Sequence, residues 1–251
     1  MEPSVEERML LWEPSEQLKQ QANITRYMKW LEQEKGLRFS SPEELWAWSV
    51  SDLEAFWASL WDYYQIKASK PYTSVLAERK MPGAKWFVGA ELNYTEQVFR
   101  HETSSHPALL FQSERHPLTA VSWEELRRKV GLVANALRAM GLQRGDRVVS
   151  YMPNIPETVI AFLAVASLGA IWSSCSPDFG TSSVVDRFQQ IEPKVLFAVD
   201  GYQYNGKTLD RRPNIVELQK RLPTLQKTVM LPYLSKDATT EGLTNTVLKP
   251  K

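Results

Sequence analysis

Cysteine is nearly absent from this sequence of 251 residues, in which Cys175 stands alone. An internal disulfide framework is therefore excluded, and a lone cysteine is typical of a reducing compartment. No stretch reaches the roughly 18 apolar residues of a membrane helix, and the opening segment, MEPSVEERML, lacks the apolar run of a signal peptide. These absences predict a cytoplasmic protein that does not cross a membrane.

A strong charge of one sign is also missing. Thirty lysines and arginines face 29 aspartates and glutamates, which leaves a formal net charge of +1. Such a balance creates no field that would draw the chain onto nucleic acid or an anionic membrane. We therefore expect small molecules or other proteins as partners, and neither nucleic acid nor membrane.

Familiar catalytic and metal-binding motifs are absent as well. The sequence contains no G-x-S-x-G, H-E-x-x-H or G-x-G-x-x-G pattern and no paired carboxylates at useful spacing. The histidines His101, His106 and His116 lie in turn-rich sequence, at spacings that match no metal-binding pattern. We expect solvated loop histidines and no metal site.

Two regions of different composition divide the chain. Residues 1–85 hold six of the nine tryptophans and read as a helical domain without strands, whereas residues 86–251 read as a second domain. Three serines precede expected helix starts: Ser15, Ser41 and Ser51. The first of these helices is expected over residues 15–34, and residues 86–90 are expected to be irregular.

Three short apolar runs organise the second region, at residues 148–152, 170–174 and 195–199. The two segments between them are long enough for helices, the second of which is expected to start near Thr181. Runs that are apolar throughout are typical of strands covered on both faces, as in the parallel sheets of α/β domains. The pattern predicts a strand, helix, strand, helix, strand order.

Further elements are expected on either side of these runs: a hairpin over residues 108–121 with a loop at 113–117, a helix from Ser122, a helix over 214–221 and a strand over 227–231. Beyond Pro232 the sequence becomes polar and poor in large apolar residues. We expect no further element after that proline.

The stretch from Gly201 to Thr208 fits the pattern of a phosphate-binding loop, in which backbone amides and a lysine surround the phosphates of a nucleotide. Its context argues against a P-loop NTPase. Such a loop leads directly into a helix, whereas Pro213 would break a helix within its second turn. A weaker interpretation stays open, in which Lys207 and Gly206 hold a single phosphate group at a sheet edge.

A second candidate site is the small-residue turn from Ser173 to Gly180, which directly follows an expected strand. Open α/β sheets bind ligands at the carboxyl ends of their strands, and small residues let a ligand approach the backbone. A tight turn built with Asp178 and Gly180 explains the same residues without a ligand. Cys175 has no base beside it and is expected to be a buried thiol.

Taken together, these segments resemble a known superfamily. Four are similar to the first half of the large domain of acyl-adenylate-forming enzymes: GDRVVSYMPNIPE at residues 145–157, then residues 169–171, 186–187 and 192–195. Upstream segments resemble the amino-terminal extension of acetyl-CoA synthetases: residues 45–50, 56–57, 86–87 and 92–94. AIWSSCSPDFG at residues 170–180 and YNGK at residues 204–207 are closer still to acetoacetyl-CoA synthetases.

This resemblance implies an α/β fold in which a helical amino-terminal extension precedes the first, largely parallel-sheet half of an adenylate-forming large domain. It also implies a two-step ligation that uses ATP, Mg²⁺ and coenzyme A. The carboxylate of acetoacetate attacks the α-phosphate of ATP to give an acyl-adenylate and pyrophosphate. The thiol of coenzyme A then displaces AMP.

Two groups of coenzyme A contacts are implied by the same resemblance: Ser176, Pro177 and Asp178 along the cofactor, and Tyr204, Asn205, Gly206 and Lys207 at its 3′-phosphate. Lys207 offers an ammonium in place of a guanidinium, which keeps the charge but loses the bidentate geometry. Tyr204 stands where an arginine is usual in acetyl-CoA synthetases.

The superfamily's glycine-rich loop, its adenine and ribose contacts and its catalytic lysine would all lie after residue 251. The resemblance therefore implies no catalytic residue in this sequence, and no acyl-adenylate formation by these residues alone in an ATP–pyrophosphate exchange assay. An incomplete sheet leaves a strand edge exposed, which favours self-association. Two alternatives remain: a P-loop NTPase that uses Gly201 to Thr208, and a non-catalytic interaction module that binds neither ATP nor coenzyme A.

Overall fold

A computed structural model of the chain describes residues 11–248, so that the segment MEPSVEERML, assessed above for a signal peptide, lies outside the described residues. The chain divides into two compact units between Leu92 and Asn93. No helix within the described range is both long and apolar enough to cross a membrane. Each unit has its own buried core.

The described part of the first unit contains four helices and one antiparallel pair of strands. Its elements are α1 (Glu16–Gln21), α2 (Asn23–Lys35), α3 (Pro42–Ser51), α4 (Leu53–Tyr63), β1 (Ser74–Leu76) and β2 (Trp86–Val88). Tyr27, Leu31 and Leu45 form its buried core, and the aromatic rings of α2, α3 and α4 pack around them. Burial of large rings therefore stabilises this unit, as its tryptophan content suggests.

The expectation of a single helix over residues 15–34 is wrong, because the chain forms two helices there. Ser15 does cap the first of them, since its hydroxyl accepts a hydrogen bond from an amide of the first turn at 3.3 Å. The chain then breaks at Ala22, where the backbone is extended, and the Thr25 hydroxyl donates to the Lys19 carbonyl at 2.6 Å. Side chains that bond to nearby backbone groups compete with a continuous helix, which explains the break.

The helix start expected at Ser41 is confirmed, whereas the one expected at Ser51 is wrong by one residue. The Ser41 hydroxyl accepts a hydrogen bond from the Glu44 amide at 3.3 Å. Ser51 is the last residue of α3, and the Asp52 carboxylate caps α4 by accepting from the Ala55 amide at 3.1 Å. Aspartate and serine are equally good caps, so adjacent residues competed for this position.

The expectation that residues 1–85 contain no strand is wrong, and so is the irregular segment expected at residues 86–90. β1 and β2 pair in antiparallel fashion. A ring from α4 packs against this pair, since the centroids of Trp57 and Trp86 lie 5.6 Å apart. Strands of three residues are too short to show an alternating pattern in the sequence.

The second unit begins with α5 and, within the described residues, ends with β11. Its elements are α5 (Tyr94–Phe99), β3 (Leu109–Ser113), β4 (His116–Val121), α6 (Trp123–Ala139), β5 (Arg147–Tyr151), α7 (Pro156–Ser167), β6 (Ile171–Cys175), α8 (Thr181–Gln189), β7 (Val195–Val199), β8 (Gly201–Tyr204), β9 (Lys207–Asp210), α9 (Arg212–Arg221), β10 (Lys227–Leu231) and β11 (Thr246–Leu248).

A five-stranded parallel sheet in the order β11-β10-β7-β5-β6 forms the centre of this unit. The three apolar runs are thereby confirmed as β5, β6 and β7. Val148 packs on one face of the sheet in a cluster with α6 and α7, whereas Val149 packs on the other with α8 and α9. Helices therefore cover both faces, as the continuous apolar runs predict.

The elements after the central strands agree only in part with expectation. The strand at residues 227–231 is confirmed as β10. α9 begins at Arg212, earlier than expected, because Pro213 fits the first turn of a helix, whose amides have no partner within the helix. The expectation that no element follows Pro232 is wrong, because β11 pairs with β10 and extends the sheet.

Two antiparallel hairpins complete the described part of the second unit. The hairpin expected over residues 108–121 is confirmed as β3 and β4, with Glu114 and Arg115 at its turn. Its loop is shorter than expected because His116 belongs to β4, where its ring lies 6.0 Å from that of Phe111. The second hairpin consists of β8 and β9.

Candidate functional site

A cavity of about 360 Å³ lies where β5 and β6 end. Its walls come from five segments: residues 111–113 in β3, 153–155 after β5, 176–178 after β6, 202–204 in β8, and Tyr233 after β10. Four of the seven predicted coenzyme A contacts line it, namely Ser176, Pro177, Asp178 and Tyr204. Asn205, Gly206 and Lys207 follow in the same hairpin but do not line the cavity.

Tyr151, which the sequence analysis did not single out, holds the turn after β6. Its side chain is fully buried, and its phenol donates hydrogen bonds to the carbonyls of Pro177 at 2.9 Å and Phe179 at 3.3 Å. Burial raises the pKa of Tyr151, which keeps the phenol protonated as a donor. A tyrosine that ends a buried strand needs such a partner for its hydroxyl, and this need was the available signal.

The neighbouring cysteine is buried, as expected. Cys175 is 3% exposed, and burial raises the pKa of its thiol by more than the nearby Arg187 lowers it. A protonated, inaccessible thiol is a poor nucleophile. The structure therefore gives Cys175 a role in packing.

The stretch from Gly201 to Thr208 is a β-hairpin, so the P-loop NTPase interpretation is wrong. The backbone turns at Asn205 and Gly206, whose φ angles of 50° and 72° are typical of tight hairpin turns. Lys207 begins β9 and does not open a helix. The helix terminus that a P-loop places against its phosphates is therefore missing at this position.

Two side chains at the β3–β4 turn bind segments that adjoin the cavity walls. The Glu114 carboxylate accepts hydrogen bonds from the amides of Asn205 at 2.7 Å and Gly206 at 2.9 Å. The Arg115 guanidinium donates to the Leu234 carbonyl at 2.7 Å. These contacts fix β3 against both the β8–β9 hairpin and the loop after β10.

Asp200 holds the loop after β10 in place. It is 2% exposed, and its carboxylate accepts hydrogen bonds from the amides of Tyr233, Leu234 and Ser235 at 2.7 to 2.8 Å. Three backbone donors satisfy a buried carboxylate that would otherwise be costly to desolvate. Asp200 thereby sets the position of Tyr233 in the cavity.

Aromatic rings dominate the lining of the cavity, whose only charged lining residue within the described part of the chain is Asp178, and one guanidinium contacts a lining ring. Phe111, Tyr202, Tyr204 and Tyr233 line the cavity. The Arg211 guanidinium lies 5.3 Å from the centre of the Tyr202 ring and donates to its hydroxyl at 3.2 Å. Aromatic faces stack on planar bases, and cations attract phosphates. Among residues 11–248, no group of three His, Cys, Asp or Glu side chains is placed to hold a metal ion.

Two known families match the sequence of this chain. Residues 96–250 match the family described as AMP-binding enzyme, and residues 43–98 match the family described as acetyl-coenzyme A synthetase N-terminus. The chain is 40% identical to acetoacetyl-CoA synthetase of Gallus gallus over 237 residues, 93% of this chain and 35% of that protein. It is 38% identical to acetoacetyl-coenzyme A synthetase of Rhizobium meliloti (strain 1021) over 228 residues, 91% of this chain and 35% of that protein.

A solved structure gives the same result. Acetoacetyl-CoA synthetase from Streptomyces lividans is 45% identical, with a TM-score of 0.90 over 96% of this chain and 37% of that one. The chain therefore spans about a third of the length of the relatives it matches. The resemblance to adenylate-forming enzymes and the α/β fold class are confirmed. The AMP-binding enzyme family matches residues 96–250, which are more than half of the chain, and the chain therefore belongs to that family.

Proposed function

We propose that this chain is the amino-terminal part of an acid–thiol ligase that joins acetoacetate to coenzyme A. The reaction would consume ATP, form an acyl-adenylate with release of pyrophosphate, and transfer the acyl group to the coenzyme A thiol with release of AMP. The observation that supports it is the cavity at the ends of β5 and β6, where the turn at Ser176 to Asp178 and the hairpin residue Tyr204 face one space.

The residues around this cavity suit the phosphorylated nucleotide end of coenzyme A. The exposed ring of Tyr204 and the ring of Tyr233 line the cavity and offer faces for a planar base. Lys207 is exposed, and no ion pair or hydrogen bond of its side chain is recorded in the described part of the chain, so its ammonium is available for the 3′-phosphate. The described residues contain no group of three His, Cys, Asp or Glu side chains placed to hold a metal ion, and we assign no metal or adenylation step to them.

Replacement of Lys207 by alanine tests this proposal. Loss of an ammonium that contacts the 3′-phosphate is expected to weaken coenzyme A binding roughly tenfold. The affinity for dephospho-coenzyme A, which lacks that phosphate, should stay within about twofold because its other contacts are intact. Isothermal titration calorimetry of both ligands measures the two affinities.

Lys220→Ala is the matched control, because Lys220 is an exposed lysine of α9 and its loss changes the net charge equally. Its coenzyme A affinity should equal that of the wild type. Equal wild-type affinities for coenzyme A and dephospho-coenzyme A would contradict a phosphate site at Lys207. Absence of binding by either ligand would favour the alternative of a non-catalytic interaction module.

A further inference from the structure

The amides of the β8–β9 turn already hold an anion that the protein itself supplies. Two successive N–H groups, from Asn205 and Gly206, converge on the two oxygens of the Glu114 carboxylate at 2.7 and 2.9 Å. Consecutive amides that point at one anion form a concave anion site of the kind that binds phosphate groups. A carboxylate therefore occupies the position that a phosphate oxygen would take in such a site.

The lysine next to this turn is not engaged with Glu114. No ion pair between Lys207 and Glu114 is recorded among residues 11–248, although the lysine directly follows Gly206. The turn thus presents two kinds of group to a phosphate. The ammonium is available, whereas the amides are taken.

Exchange of one anion for another is physically accessible here. Glu114 is exposed, so a displaced carboxylate would move into water without a buried charge being left unpaired. The β3–β4 hairpin would keep its second anchor, because Arg115 bonds to the Leu234 carbonyl independently. The wall formed by residues 111–113 therefore does not depend on Glu114 alone.

From these contacts we propose that Glu114 is a specificity-determining residue, whose carboxylate competes with a phosphate monoester for the amides of Asn205 and Gly206. The inference rests on the proposed function, in which that monoester is the 3′-phosphate of coenzyme A. A phosphate gains both the amides and the Lys207 ammonium when it displaces Glu114. A ligand without this phosphate leaves Glu114 in place.

Glu114→Gln tests the competition. A neutral carboxamide binds the turn amides less strongly than a carboxylate and does not repel a phosphate, so coenzyme A should bind about fivefold more tightly. Dephospho-coenzyme A should bind within about twofold of the wild type. Glu241→Gln is the matched control, because Glu241 is exposed and the substitution changes the net charge equally. Its affinities for both ligands should be unchanged.

A second measurement uses the wild-type chain and does not depend on the folding of a variant. In ¹⁵N NMR spectra, coenzyme A should shift the Gly206 amide resonance as one acceptor replaces another, and dephospho-coenzyme A should not. Weaker coenzyme A binding by Glu114→Gln, equal changes for both ligands, or a Gly206 amide that ignores coenzyme A would each overturn the inference. If Lys207→Ala abolishes discrimination between the two ligands while Glu114→Gln has no effect, only this inference fails. Absence of discrimination in the wild type removes the proposed function as well.

Discussion

Replacement of Asp200 by alanine is expected to lower the free energy of unfolding by about 3–5 kcal/mol, because hydrogen bonds to a charged acceptor are strong and three part-buried amides lose that acceptor. The carboxylate accepts from three successive backbone amides, those of Tyr233, Leu234 and Ser235. Alanine replaces none of these contacts, and the Asp200 position itself is 2% exposed. Urea denaturation followed by circular dichroism measures the change.

Asp237→Ala provides the control for this substitution. Asp237 lies in the same loop and is exposed, and no hydrogen bond or ion pair of its carboxylate is recorded in the described residues. Its removal should change the free energy of unfolding by less than about 0.5 kcal/mol. A similar loss of stability in both variants would mean that the loop responds to lost negative charge and not to lost amide contacts.

Replacement of Gly201 by alanine should cost about 2–3 kcal/mol of stability, because an added methyl group in a closely packed place forces the backbone to move. A Cβ at this position would lie 2.4 Å from the Leu209 carbonyl oxygen and 2.6 Å from the Leu234 Cδ2 atom. Gly201 pairs with Asp210 across the hairpin, so the carbonyl cannot retreat without breaking that pairing. Affinity at the proposed coenzyme A site should fall too, since the displaced hairpin carries Tyr204 and Lys207.

Gly131→Ala has the opposite expected sign and serves as the comparison. Gly131 lies within α6, and a Cβ there would meet no atom within 4 Å. Alanine should stabilise this helix by about 0.5–1 kcal/mol. Thermal and urea unfolding of the two variants should therefore move in opposite directions. A neutral Gly201→Ala would show that the hairpin is free to open away from Leu209.

The centre of the parallel sheet was predictable because β5 and β7 are buried on both faces. β7 consists of five apolar residues that are all buried, and four of the five residues of β5 are buried as well. Short apolar runs of this kind can be recognised without tertiary context. The turn after β6 was predictable for a related reason. Small residues such as Ser176 directly after a strand mark the end of a parallel sheet where ligands bind.

The short pairings were not predictable from local pattern. β1, β2 and β11 have three residues each, which is too few for a period of two to stand out. The break at Ala22 is not predictable from the local sequence, because alanine is an excellent helix former and the competing bond comes from the Thr25 hydroxyl. Tertiary or local side-chain contacts decided each of these cases.

The phosphate-loop pattern illustrates a different limit. The glycines and lysine of residues 201–208 satisfy a motif, yet Asn205 and Gly206 are also a strong hairpin signal. The motif describes residue types, whereas the function needs a helix after the loop. The contact between Glu114 and this turn joins residues about ninety positions apart in the sequence, and no local pattern predicts it.

The burial of Cys175 makes the labelling rate of its thiol a measure of local opening near the end of β6. Because this thiol is unique in the sequence, is 3% exposed and has a raised pKa, a thiol-reactive dye should label it only during excursions that expose the end of β6. The labelling rate then measures how often the turn at Ser176 opens. A ligand bound against that turn should lower the labelling rate in proportion to the fraction of chains that carry the ligand.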